Sequence, residues 1–308
     1  MAQSTALFRI GTRGSPLALV QARMVQAQLA EKLGAPAEAF ELVAIRTSGD
    51  IIVDRPLAEE GGKGLFTKEI EEALLDGKID LAVHSAKDMP TLLPEGLILA
   101  ACLRREDPRD VFISARSKSL AALPHGATLG TASLRRQAIA RRMRGDLRVA
   151  PLRGNVETRL RKLHEGQVDA TILALAGLKR LGLEKEATTV MDAAEFLPAV
   201  AQGAIGIETR ADNTRARDAL ARIDHAPTST EVACERAFLA ALDGSCKTPI
   251  AGHATLADGL LHFRGMIVKP DGSASHETAV AGGAKDAATI GADAGRALRQ
   301  YAGPGFFD

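Results

Sequence analysis

The chain has 308 residues, 39 Lys and Arg against 38 Asp and Glu, a formal net charge of +1 and 46% hydrophobic residues. At about 150 residues per domain this predicts two or three soluble globular domains, and the near-zero charge gives no overall field for gripping nucleic acid or an anionic membrane. Aromatic residues make up 3%, with no Trp and one Tyr, so base-stacking platforms are poorly supplied.

The first strand-like run, Phe8 to Ile10, leads through Gly11-Thr12 to Ser15-Pro16, the opening of a capped helix. Glu41 to Arg46, Asp80 to His84, Leu97 to Leu103, Leu147 to Leu152 and Ala170 to Leu175 follow, alternating with helical periods, which predicts an α/β fold with largely parallel strands. Thr67 can cap a helix with Ile70, Ala73 and Leu74 on one face, and Asn155 another with Val156, Leu160 and Leu163; Gly77 and Gly166 are placed to end them. LLDGKIDLAV (74–83) and LHEGQVDATI (163–172) share a helix, a Gly stop, an aliphatic residue, Asp and a strand. FRIGTRGSPLALVQA (8–22) and ATLGTASLRRQAIA (127–140) correspond in the same way. Two lobes of one design are expected, with a cleft facing the carboxyl ends of their strands. Residues 49–66, GDIIVDRPLAEEGGKGLF, interrupt only the first lobe and read either as a mobile lid or as a plain surface loop. From residue 222 the texture changes to a helix over Ser229 to Leu242, the turn DGSCKTP and the alternating LHFRGMIVKPDG, a small α+β domain.

Charge chemistry must be local. Between Ser133 and Lys162 ten basic residues stand against Asp146 and Glu157. Arg135 and Arg136 follow Ser133 at a helix start, where backbone N–H groups favour an anion; Arg153 ends a strand, and Arg13 and Ser15 hold the matching place in the first lobe. Arg141, Arg142 and Arg144 read as a solvated helix face. In DLAVHSAKDMP (80–90) an apolar strand stops at His84, Ser85, Lys87 and Asp88. Asp88 suits general acid/base work or cation stabilisation, and equally a helix cap or a salt bridge with Lys87; His84 alone reads more readily as a structural histidine. Cys246, in a turn beside Lys247, reads either as a plain exposed turn residue or as a nucleophile or attachment point, while Cys102 and Cys234 read as packing residues. No cysteine spacing suggests zinc or any other metal. No run approaches the roughly 18 apolar residues of a membrane span, and the first residues lack a secretory pattern, so a cytoplasmic protein with reduced thiols is expected.

In order along the chain, GTRGSPLAL (11–19), TSGD (47–50), GGKGLFTKE (61–69), AVHSAKDMP (82–90), REDPRD (105–110), GTASLRRQ (130–137), LRGNVETRL (152–160), AGLKRLGL (176–183), PAVAQGAIGIE (198–208) and DGSCKTPIAG (243–252) resemble the porphobilinogen deaminase (hydroxymethylbilane synthase) family. The resemblance implies two lobes similar to periplasmic binding proteins, the second inserted in the first: domain 1 over 1–103 and 204–221, domain 2 over 104–203, and an α+β domain 3 over 222–308. It implies a transferase, acting as a cytoplasmic monomer, that joins four porphobilinogen molecules with loss of ammonia and releases hydroxymethylbilane by hydrolysis. It implies a dipyrromethane cofactor joined to Cys246 by a thioether, with Asp88 catalytic. Lys87, Ser133, Arg135, Arg136, Asp50 and Thr131 would hold the cofactor, and Arg13, Ser15, Arg153, Arg159, Arg180 and Gln202 the substrate. Lys63 and Phe66 would belong to a lid, with no metal and no nucleic-acid partner. Two positions depart from the family pattern: Gly244-Ser245-Cys246 stands where Gly-Gly-Cys is common, and Ala201-Gln202-Gly203 where Gly-Gln-Gly is common. The competing class is a non-catalytic two-lobed anion-binding protein, against which the anchor-like Cys246 and the strand-end Asp88 both count.

Overall fold

The computed structural model describes residues 6–51, 67–244, 248–303 and 305–307, with only the backbone at residues 50 and 51. Its strands are β1 (Phe8–Arg13), β2 (Phe40–Ile45), β3 (Leu81–Ser85), β4 (Leu97–Cys102), β5 (Asp110–Ile113), β6 (Thr128–Gly130), β7 (Arg148–Ala150), β8 (Ala170–Ala174), β9 (Thr189–Val190), β10 (Ile205–Arg210), β11 (Ile250–Ala257), β12 (Leu260–Val268) and β13 (Ser275–Gly283). The helices are α1 (Pro16–Leu33), α2 (Ser48–Ile51), α3 (Lys68–Leu75), α4 (Leu134–Met143), α5 (Val156–His164), α6 (Leu175–Arg180), α7 (Thr214–Ala221), α8 (Ala226–Ala241) and α9 (Ala287–Ala302). The described residues divide into two compact units, one of 6–51, 67–105 and 204–229, the other of 106–203 and 230 onward.

In the first unit the sheet order is β2-β1-β3-β10-β4. β1 runs parallel to β2 and β3, whereas β10, the strand with which the chain returns, is antiparallel to β3 and β4. One face packs Phe8, Ile10, Leu81, Val83 and Ile207 against Val25 and Leu29 of α1, and the other packs Ile79, Ala82 and Leu97 under Ile70 and Leu74 of α3. This is the apolar stripe at positions three and four apart that the sequence carries.

The second unit repeats the design. Its order is β7-β6-β8-β5-β9, with β6 parallel to β7 and β8, and β5 antiparallel to β8 and β9. The two matched segments form the same local structure. Gly77 and Gly166 sit at φ +66° and +76° just past α3 and α5. Asp80 N donates to Arg9 O and its Oδ2 accepts from Arg9 N, both at 2.8 Å; Asp169 makes the same exchange with Thr128 at 2.9 and 2.8 Å. The strands of each lobe are thus largely parallel, as expected: β2, β1, β3 and β4 share one direction, as do β7, β6, β8 and β9, with β10 and β5 running against their neighbours. Thr67 occupies the cap position of α3 without a cap bond, whereas Asn155 Oδ1 accepts from Thr158 N at 2.8 Å.

The remaining sheet, β11-β12-β13, is antiparallel. Asp258 and Gly259, at φ +51° and +77°, make the two-residue turn between β11 and β12. Ala251, Met266 and Val268 join Leu129, Ile139, Ile172 and Phe196 in one core, so this sheet and the second lobe pack together. At Gly291 of α9 an added Cβ would come within 1.9 Å of Cys234 O, which lets α8 and α9 approach closely. Cys102 and Cys234 are buried free thiols, and burial pushes Cys234 up to about 12. No described helix is long and apolar enough to cross a membrane.

Candidate active site

In the first unit, the carboxyl ends of β1 and β3 meet the start of α1. Ser15 caps that helix, its Oγ accepting from Ala18 N at 3.3 Å, with Pro16 following. Thr12 Oγ1 donates to the carbonyls of Val83 (3.2 Å) and Ala18 (3.3 Å), tying the two strand ends to the helix. Gln21, six residues beyond the cap, donates from Nε2 to Ser85 Oγ at 2.9 Å. After Ser85 the backbone tightens into a 3-10 turn at Ala86–Asp88, pinned by Ala86 N donating to Ala204 O at 3.0 Å. The resulting pocket is walled by Arg13, Ser15, Gln21, Thr67, His84 and Asp88 among others. Asp88 is exposed, Arg13 and Lys87 are half-buried and His84 is buried. Gln21 is a pocket residue that sequence reasoning passed over; its place three and four residues after Ala18 and Leu17, on the same face of the helix that opens at Ser15, was the available signal.

The second unit gathers cations around one buried carboxylate. Asp110, which opens β5, is fully buried. Its Oδ2 accepts from Arg135 Nη2 at 2.7 Å, and its Oδ1 from Arg136 Nε and Nη2 at 3.0 and 2.8 Å and from Gln202 Nε2 at 3.1 Å. Arg135 also donates to Leu197 O at 2.7 Å, and Gln202 to Pro108 O at 2.7 Å. Arg135 and Gln202, expected to touch cofactor and substrate, are therefore held chiefly by partners inside the fold. Asp110 was legible only as the last residue of the REDPRD segment. Burial lowers the Arg135 guanidinium, with Asp110 opposing and Arg136 adding to the effect.

Nearby elements of this unit supply the remaining expected residues. Ser133 caps α4 by accepting from Arg136 N, and Thr131 Oγ1 accepts from Ser133 N at 3.1 Å. Arg153 is half-buried, and Arg159 Nε donates to Gly154 O at 2.8 Å. Arg180 Nη2 donates to Gly203 O at 2.6 Å, and burial brings this guanidinium down to about 10. The reading of Arg144 as solvated is corrected: it donates to Asp146 and to the carbonyls of Leu120, Ala121 and Leu123, because the chain folds back against the end of α4. Arg142 remains exposed, 3.7 Å from Glu277. Cys246, Lys63 and Phe66 lie outside the described residues, as does the side chain of Asp50.

Residues 8–218 match the family model described as porphobilinogen deaminase, dipyromethane cofactor binding domain. The chain belongs to the porphobilinogen deaminase family. Residues 229–300 match the family's C-terminal domain. The chain is 56% identical over 305 residues to the porphobilinogen deaminase of Nitrobacter hamburgensis, covering 99% of this chain and 96% of that one. Among solved structures it is similar to a periplasmic substrate-binding protein of an ABC transporter from Coxiella burnetii (TM-score 0.44, 15% identity, 70% and 92% of the two chains). It is also similar to a nutrient-binding protein from Burkholderia cenocepacia (TM-score 0.44, 16% identity, 70% and 91%). Porphobilinogen deaminases are transferases of tetrapyrrole biosynthesis that carry a dipyrromethane cofactor, whose acetate and propionate groups make it anionic. The second unit fits such a group. One buried carboxylate faces two guanidiniums, leaving an excess positive charge, and the Nε donors of Arg135 and Arg180 are buried without a hydrogen-bond partner.

Proposed function

We propose that the chain condenses porphobilinogen head to tail into hydroxymethylbilane with Asp88 as its catalytic carboxylate and Cys246 as the thioether anchor of a dipyrromethane. The observation that carries this reading is the pocket of the first unit. There an exposed carboxylate shares one small basin with the Arg13 guanidinium and the Ser15-capped start of α1. A substrate that carries carboxylates and becomes a cation during reaction needs both kinds of group.

Arg13 and Ser15 hold the acetate or propionate of the incoming unit, and Arg153, Arg159 and Arg180 those of the growing chain. Loss of ammonia breaks the bond between the methylene carbon and nitrogen, the electron pair leaving with nitrogen, and the ring nitrogen shares the positive charge that results. The Asp88 carboxylate stabilises that azafulvene cation. The cofactor, when bound, supplies the free α-carbon to which the first unit is added. Asp88 then takes the proton displaced from the attacked α-carbon and passes it to solvent, and water completes the release of product. Arg135, Arg136, Lys87, Thr131, Ser133 and Asp50 hold the cofactor, and Gln202 acts on substrate through Asp110, which it helps to fix. Lys63 and Phe66 belong to a lid.

In this reading residues 1–103 and 204–221 form the catalytic lobe, 104–203 the Arg-rich lobe and 222–308 the anchoring domain, in a cytoplasmic monomer. Intact-mass analysis of purified protein, with ammonia and hydroxymethylbilane measured on added porphobilinogen, tests it. A dipyrromethane-sized excess on the Cys246 peptide and four ammonia per product are expected; an active preparation with unmodified Cys246 overturns the anchor.

A further inference from the structure

Behind the Asp88 pocket lies a set of buried polar side chains that the reaction above does not use. In the antiparallel register of β3 and β10, Gly206 faces His84 and Glu208 faces Ala82, so His84 and Glu208 are diagonal neighbours on one sheet face. The helix α3 covers that face with Ile70 and Leu74 and brings Thr67 and Glu71 to it. His84 Nε2 lies 3.2 Å from Glu208 Oε2, with side chains 4% and 0% exposed; Glu71 is 6% and Thr67 1% exposed. His84 Nε2, both carboxylate oxygens of Glu208, Glu71 Oε1 and Thr67 Oγ1 are buried without a formed hydrogen bond, the imidazole and carboxylate being close but out of line.

Two carboxylates here face one imidazole. The charged groups bearing on Glu71 are Glu208 from β10, His84 from β3 and Glu72 on its own helix. The nearest arginine of β10, Arg210, donates from Nη1 to the carbonyls of Leu74 and Ile79 instead. Two ionised carboxylates would leave a buried negative charge without a counterion, and the physical remedy for such a site is a retained proton. We propose that Glu71 retains its proton and, with Glu208 and His84, forms a buried proton-sharing set that positions the strand end carrying Asp88.

The geometry gives the set its leverage. Glu208 then meets a donor from α3 and a donor from β3 at once, so the set fastens helix and both strands together immediately before Ser85 and the Asp88 turn. His84 and Thr67 reach the pocket wall, whereas Glu71 and Glu208 lie behind it. Burial pushes the Glu71 carboxyl above its ordinary value, the Thr67 hydroxyl pulls against that, and the charge of Glu208 adds to the rise. When the proton leaves at alkaline pH, like charges on α3 and β10 repel and the fastening loosens.

The kinetic arm of the test rests on the proposed deaminase reaction; the spectroscopic arm does not. In the holoprotein, kcat and KM are measured separately against pH for wild type, Glu71→Gln, Glu208→Gln and Glu208→Asp. Glu208→Gln is expected to lower kcat about 10- to 100-fold with KM within about threefold, and Glu208→Asp to restore part of the loss. Glu71→Gln, which cannot ionise, should flatten the alkaline fall of kcat. Infrared difference spectra of wild type between acid and alkaline pH should contain a protonated-carboxyl band that persists above the ordinary carboxylate range and is missing from Glu71→Gln. Absence of that band, an unchanged alkaline fall in Glu71→Gln, or a Glu208→Gln variant with wild-type kcat overturns the proposal. If Glu208→Gln does not fold, the band and the Glu71→Gln profile decide. If wild type makes no hydroxymethylbilane, the deaminase reading falls and the band alone decides where the proton is.

Discussion

Asp110 Oδ1 receives both Nε and Nη2 of Arg136, at 3.0 and 2.8 Å. The planar guanidinium is thereby locked edge-on to one oxygen, leaving Oδ2 for Arg135. Lysine keeps the charge but replaces this fork with a single ammonium. Arg136→Lys is therefore expected to cost about 1.5–3 kcal/mol of stability, the range for a lost hydrogen bond to a charged group. It should also stall cofactor assembly or chain elongation at a bound intermediate seen by native mass spectrometry. Arg142→Lys, on the exposed side of α4, should stay within about 0.5 kcal/mol and elongate normally. Equal behaviour of the two variants would remove Arg136 from the binding set.

Asp88→Asn retains size and removes the charge. Asp88 is exposed at the end of a 3-10 turn, so its thermal unfolding midpoint should match wild type. Turnover should fall by about 10² to 10⁴, the range for loss of a general acid/base group. Steady-state assay of porphobilinogen consumption reads this directly; turnover within a few-fold of wild type would exclude Asp88 from catalysis.

The two-lobe plan was legible because each lobe repeats a helix, a Gly stop and an Asp at a strand start, and both copies proved to make the same backbone exchange, Asp80 with Arg9 and Asp169 with Thr128. The antiparallel strands β5 and β10 were not, because Asp110–Ile113 and Ile205–Arg210 pair with strands far away in sequence, and apolar pattern carries no direction. Strand ends and caps exposed Asp88, Ser15 and Ser133, since those positions obey local rules. The fates of Arg135 and Arg144 depended on acceptors brought from Asp110, Leu197 and the 120–124 segment, which no local rule supplies. The Glu71, Glu208 and His84 set was hidden for the same reason: three elements contribute one residue each.

Ala201 stands where the family often has Gly, and its φ is +58°. An L side chain in the left-handed region costs about 1–2 kcal/mol, part of which glycine returns as unfolded-state freedom. Ala201→Gly is expected to raise stability by up to about 1 kcal/mol, about 1–2 °C in Tm for a chain of this size. Ala201 N donates to the buried Glu235 carboxylate, and glycine keeps that donor. A lower Tm would mean that packing of the buried methyl outweighs the backbone strain.

Asp146 provides a test by pH. Its carboxylate accepts from Arg144 Nε and Nη2 at 2.7 and 2.8 Å and from Gly126 N at 3.0 Å. The Arg144 guanidinium holds it well below its ordinary value of 3.8. A carboxylate depressed in the native state contributes stability that is fully present above its unfolded value and is lost as pH falls through the native one. Asp146→Asn should therefore be less stable than wild type at neutral pH, by an amount that stays level down to about pH 5 and narrows below the unfolded value as wild type alone loses the contribution. Urea unfolding at a series of pH values measures the gap. An equal gap at neutral pH and at about pH 3 would show that the amide disturbs the 120–126 turn by shape, and that the ion pair with Arg144 contributes nothing.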